Sequence, residues 1–167
     1  MVHWHAVFTA SRAEKKVRDR VEELGVECFL PVQTVLRQWT YRKSRVVVPV
    51  IAGLVFVRVG RQEQVKVLQT KGVVAFLRLK GEAGAAVIPD KQMEDFRFLL
   101  DFSEEAVEMT NENIKAGDLV RVVKGSLRGM EGELIRHKGV TKVLVRIDML
   151  GCAMVNIPAS FVEKLNK

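Results

Sequence analysis

A chain of 167 residues, 48% hydrophobic and 28% charged, has the make-up of a soluble globular protein of one domain or two small ones. Its longest apolar run, Val46 to Val57, contains Pro49 and Gly53 and falls short of the ~20 residues that span a bilayer, so no membrane attachment is expected. The only cysteines, Cys28 and Cys152, lie far apart, which argues against a disulfide or zinc framework and fits the cytoplasm.

The net charge of +7 asks for an anionic partner, and its distribution is uneven. Residues 1–102 carry a net +6, residues 103–114 hold four glutamates and no base, and residues 115–167 carry a net +5. Two basic regions flank an acidic joint.

In chain order, His3 to Phe8 alternates large and small side chains and enters a strand at once, with no signal segment expected. Ser11 and Glu14 have the spacing of a capping box, and Ala13, Val17, Val21 and Leu24 continue at helical spacing to a stop at Gly25. Val26 to Leu36 is expected to be extended, with Pro31 marking an edge or kink. The polar stretch from Arg37 to Arg45 then leads into the β-prone run Val46 to Val59, a hairpin with charge at its tip. A short helix is expected over Gln62 to Thr70 and a strand over Val73 to Leu79. A third helix starts at Pro89-Asp90, with Met93, Phe96 and Leu100 on one face. That order, strand, helix, hairpin, helix, strand, helix, implies an α+β domain with an antiparallel or mixed sheet over residues 1–102.

Residues 103–115 are acidic, lack aromatic side chains and show no sustained period, as a flexible linker does. Over 116–167 five short β-prone runs follow, at Leu119–Val123, Glu133–Arg136, Lys142–Ile147, Met154–Ile157 and Phe161–Leu165. Glycines 125, 129, 132, 139 and 151 punctuate them, the pattern of a small all-β barrel.

Within that region Val120-Arg-Val-Val-Lys-Gly125-Ser-Leu127-Arg-Gly129-Met-Glu-Gly132 resembles the KOW motif of SH3-like barrels. Gly125 and Gly132 are expected at positive φ in the reversals, and Leu127 is expected to plug the barrel. In the first half, the residues that matter are His3-Trp4-His5-Ala6-Val7, then Cys28-Phe29-Leu30-Pro31, then Pro49-Val-Ile-Ala52-Gly53-Leu54-Val-Phe56-Val57. With the KOW motif behind them, they resemble the NusG family of transcription elongation and antitermination factors over nearly all of residues 3–165. Three positions depart from the family pattern: His5 and Leu54 stand where Tyr is usual, and Ala52 replaces Pro. These departures suggest a specialised, operon-specific paralogue. The alternatives are the general housekeeping factor of the same family, or a ribosome- or RNA-associated KOW protein.

The resemblance implies that the N-terminal sheet binds the clamp helices of RNA polymerase through an apolar patch including Phe8, Ile51, Leu54 and Phe56. Strand alternation places Leu54 and Phe56 on one face and Val55 and Val57 on the other, so one pair is expected in the core. The resemblance further implies that the loop Met149-Leu150-Gly151 recruits a second partner through Leu150, a small-subunit ribosomal protein or the Rho termination factor. Barrel packing is the alternative role for Leu150.

The hairpin tip needs no resemblance to be interesting. Arg37, Arg42, Lys43 and Arg45 interleave with Trp39 and Tyr41; cations neutralise phosphates and rings stack on unpaired bases. Contact with non-template DNA or nascent RNA is therefore expected, with a solvated charged turn as the alternative. Catalysis finds no constellation: no nucleophile elbow, no phosphate loop and no paired-histidine zinc motif occurs. His3 and His5 share a strand face without a third ligand, so no metal and no cofactor are expected. The reading is a monomeric, non-enzymatic factor.

Overall fold

The elements run β1 (His3–Thr9), α1 (Glu14–Glu23), β2 (Glu27–Phe29), β3 (Val32–Gln38), β4 (Lys43–Pro49), β5 (Leu54–Val59), α2 (Arg61–Leu68), β6 (Val73–Phe76), α3 (Asp90–Phe102), β7 (Glu108–Thr110), β8 (Asp118–Val122), β9 (Glu131–His137), β10 (Val140–Ile147), β11 (Gly151–Asn156) and β12 (Val162–Lys164). They are taken from a computed structural model that describes residues 1–165. Two bodies result: Met1–Thr34 with Val46–Asp90, and Val35–Arg45 with the chain from Lys91 onward.

The first body is built on an antiparallel sheet in the order β2-β5-β1-β6. Alternation along β1 and β5 sends Val7, Val55, Val57 and Val59 to one face, where they pack with Val17 and Val21 of α1 and Val67 of α2. Each such burial is worth about 1.5–3 kcal/mol before entropy is charged against it. The four-residue spacing of Val17 and Val21 is what turns α1 toward the sheet. Gly25, at φ +80°, ends the helix as its position promised.

The start of α1 differs from expectation. Ser11 does not cap it; the N-cap is Ala13, without a side-chain bond. Glu14 is buried, and its Oε2 accepts a hydrogen bond from the Gly53 backbone N–H at 3.2 Å. The carboxylate satisfies a partly buried loop donor across the sheet end, a stronger demand than a solvent-accessible helix terminus makes. Half of that capping geometry occurs instead at α2, where Glu63 Oε1 accepts from the Gly60 N–H at 3.1 Å, while Gly60 has no side chain to accept in return. Pro31 separates β2 from β3, and its carbonyl accepts the Val50 N–H at 2.9 Å. In α3 the deeply buried residues are Met93, Phe96 and Leu99, with Leu100 only partly covered. The stripe advances in threes, so Leu99 rather than its neighbour faces inward.

In the second body β12-β8-β9-β10-β11-β7 form one antiparallel sheet, the small all-β body expected there. All five expected runs contribute to it, though the last is split into a short 3-10 turn at Ala159–Phe161 and β12. A sixth strand comes from the acidic stretch expected to be a flexible linker. Glu108–Thr110 pair with Cys152, Ala153 and Met154 of β11, and Glu108 accepts from Lys142 Nζ at 2.6 Å. Three residues are too few to show a period in sequence, and the ion pair neutralises one of the four glutamates that made the stretch look solvated. Farther along the same stretch, Arg146 bonds both Glu133 oxygens, at 2.6 and 3.1 Å, and donates to the Ile114 carbonyl at 2.8 Å.

Leu127 is buried as a plug, but the glycines divide their work differently from the expectation. Gly125 has φ +87° and Gly129 φ +96°, whereas Gly132 is not at positive φ. A Cβ on Gly132 would lie 2.8 Å from the Leu144 carbonyl oxygen, so this glycine is required for close approach of β9 to β10. Among the described residues no helix is long and apolar enough to cross a membrane.

Candidate functional site

The β3–β4 ribbon is a two-stranded sheet of its own. Alternation along β4 leaves Lys43, Arg45 and Val47 exposed and Ser44, Val46 and Val48 partly covered. Four residues, 39–42, make the connection, closed by the Trp39 N–H donating to the Arg42 carbonyl at 2.6 Å. All six residues singled out here, Arg37, Trp39, Tyr41, Arg42, Lys43 and Arg45, are exposed. Leu36 and Val47 are exposed on the same ribbon, an apolar component that a count of charges does not reveal.

The four candidate polymerase contacts share one region, but they are not equally accessible. Phe8 is the cross-strand partner of Leu54, and Phe56 pairs with Ala6 one position along the face. The sheet is buried on both faces: Val55 and Val57 lie in the helix-covered core, while Leu54 and Phe56 are also inaccessible, at 2% and 0% exposure. The Phe56 ring stacks on Phe29 with centroids 6.2 Å apart. Phe8, at 39% exposure, and the partly covered Ile51 remain at the surface. They lie toward one end of the sheet, where the Thr9 N–H bonds the Gly53 carbonyl. Sequence alternation separated the two faces correctly but could not show that both are covered.

In the barrel, Leu150 is partly covered and its N–H returns to the Ile147 carbonyl at 3.0 Å. Met149, with φ +69° and 39% exposure, is the side chain this turn presents. Asp148, beside it, is held by Gln92 of α3: the Gln92 amide donates to the carboxylate at 2.8 Å, and the Asp148 N–H donates to Gln92 Oε1 at 2.7 Å.

Among the described residues no three His, Cys, Asp or Glu side chains cluster, around the two N-terminal histidines or elsewhere. His5 is buried, its Nδ1 bonding the Ala86 carbonyl at 2.8 Å. Burial pushes its pKa below 6.5, opposed by the Ala86 bond and assisted by nearby His3. A folded-state value below the unfolded one means that the stabilising effect is complete above pH 6.5 and is lost as pH falls below it. Thermal denaturation from pH 7.5 to 5 should therefore show a loss of stability that His5→Tyr, which removes the titrating group, reduces; identical pH profiles would refute this. The Cys28 thiol is pushed up to about 12, chiefly by burial and then by Glu22, and burial raises Cys152 too, so neither is a ready nucleophile.

Against this geometry, residues 2–97 match the family described as transcription termination factor NusG. A search of curated proteins returns no match. Among solved structures, one titled "Domain interaction in Thermotoga maritima NusG" aligns with 99% of this chain and 98% of its own, at 23% identity and a TM-score of 0.52. Two others, the MjSpt4:Spt5 complex in conformations A and B, align at 16% and 18% identity over 100% of this chain and 99% and 98% of theirs. Their TM-scores of 0.32 are too low to bear on the fold. The Thermotoga likeness concerns the fold, an α+β domain followed by a KOW barrel, whereas the family match covers more than half of the sequence. The chain belongs to the NusG family of transcription factors.

Proposed function

We propose that this protein is a non-enzymatic, cytoplasmic elongation or antitermination factor that binds RNA polymerase through its N-terminal domain and acts on selected operons. The observation that carries the reading is the family match over 2–97, joined to a hairpin whose six cationic and aromatic residues are all exposed. Phe8 and Ile51 form the accessible part of the polymerase contact, and Leu54 and Phe56 support it from beneath. The hairpin touches nucleic acid near the enzyme. The turn at Met149 and Leu150 recruits a second partner, a ribosomal protein or Rho. Holding polymerase and that partner together raises the effective concentration of one for the other. The departures at His5, Ala52 and Leu54 favour a specialist over the housekeeping factor.

Co-purification with RNA polymerase from the source cell is the first test, with Phe8→Asp as the probe. A charge cannot be buried cheaply against an apolar partner, so recovery of polymerase should fall about tenfold or more while circular dichroism stays unchanged. Met149→Asp should leave polymerase recovery intact. Undiminished recovery with Phe8→Asp would remove this contact. Transcript profiling of a deletion strain then separates the specialist, which loses distal transcription in a few operons, from a general factor, which affects most genes.

A further inference from the structure

Trp39 and Tyr41 lie two residues apart in the hairpin connection, yet their situations differ. Trp39 is held at several points: its indole N–H donates to Ser44 Oγ at 2.5 Å, its backbone N–H to the Arg42 carbonyl, and its own carbonyl accepts from Gln38 Nε2 at 3.2 Å. Ser44 belongs to the covered side of β4, so the bond ties the indole to that side and leaves it 45% exposed. Tyr41 is 97% exposed, and its side chain makes no hydrogen bond among the described residues. Arg42 and Lys43 follow it directly, with Arg45 exposed beyond them.

Resting on the reading of the hairpin as a nucleic-acid contact, we propose that Tyr41 is the platform on which one unpaired base stacks, and that Trp39 is a positioning residue that holds the loop in shape. Stacking needs a free ring face and a base without a partner over it, and Tyr41 offers the first at the outermost point of the ribbon. The ligand class is therefore a single strand, DNA or RNA, rather than a duplex. Arg42, Lys43 and Arg45 supply sequence-independent phosphate contacts on its flank. Because the indole N–H is engaged within the hairpin, Trp39 fixes where Tyr41 and the cations stand.

The experiment measures binding of the full chain to fluorescently labelled oligonucleotides of about twelve nucleotides, as single-stranded DNA, single-stranded RNA and duplex DNA, over a salt series. The parent should prefer the single strands; tighter binding to the deoxy form identifies displaced DNA as the source, and tighter binding to the ribo form identifies the transcript. Tyr41→Ala should weaken binding roughly 5- to 100-fold and Tyr41→Phe should not, since stacking uses the ring and not the hydroxyl. Ser44→Ala and Trp39→Ala should weaken it by similar factors, and the double variant no further, because both break one lock. If Trp39→Ala is severe while Ser44→Ala and Tyr41→Ala are silent, Trp39 is the platform and the assignment is overturned. Arg42, Lys43 and Arg45 replaced together by Ala should flatten the salt dependence by about 0.7 for each phosphate no longer neutralised. A parent that ignores all three oligonucleotides, or a triple variant with an unchanged salt slope, would overturn the hairpin reading itself. All these side chains except the partly covered Ser44 are exposed, so the variants should fold, which circular dichroism verifies.

Discussion

Phe56→Ala is expected to destabilise the N-terminal body by about 3–5 kcal/mol, the range for removing a buried aromatic ring and leaving a cavity. Phe56 sits on the central strand β5, opposite Ala6 and stacked on Phe29, with no exposed surface. At roughly 2–4 °C per kcal/mol for a chain of this size, the thermal midpoint should fall by about 6–20 °C. On the function proposed above, the same loss would also lower recovery of polymerase from a cell extract, an effect of unfolding and not of a removed contact. Phe8→Asp separates the two effects, because Phe8 is 39% exposed and its replacement should lower the midpoint much less than loss of the fully buried Phe56 ring. A Phe56→Ala variant that melts with the parent would show that the ring is not packed as described.

The second large effect is in the barrel. Gly132→Val should cost at least about 1–3 kcal/mol, the usual range for forcing extra groups into a packed interior. The first added carbon already meets the Leu144 carbonyl oxygen at 2.8 Å and a Val143 methyl at 2.9 Å. Gly132 is paired with Val120 on the other side, so β9 cannot retreat without loosening β8. Cost should therefore rise from Gly132→Ala to Gly132→Val. At Gly129 the requirement is conformational: φ is +96° and a Cβ would meet nothing within 4 Å. There the strain, about 1–2 kcal/mol for a left-handed residue, should be nearly the same for any unbranched side chain. Denaturant titration of the variants at both glycines decides; equal costs for Ala and Val at Gly132 would show that β10 moves aside freely.

By itself the sequence determined what depends on short-range pattern. Alternation in β1 and β5, the four-residue step of Val17 and Val21, the stop at Gly25 and the glycine-spaced runs after Ala116 each act over a few residues, so most element types were legible, whereas the division was not: Val35–Arg45 and the chain from Lys91 belong to the second body and not to the first as expected. The exposed hairpin tip was legible for the same reason, since a run of cations between two β-prone segments has nowhere else to go. Tertiary structure decided everything set by a distant partner. Glu14 left its cap for the Gly53 N–H, Glu108 entered a strand because Lys142 and β11 were there, and Gly132 proved to be spatial rather than conformational because of the Leu144 carbonyl. Leu54 and Phe56 belong with these. Their strand face follows from a period of two, but whether that face meets solvent depends on what is folded over it, and no local pattern carries that information.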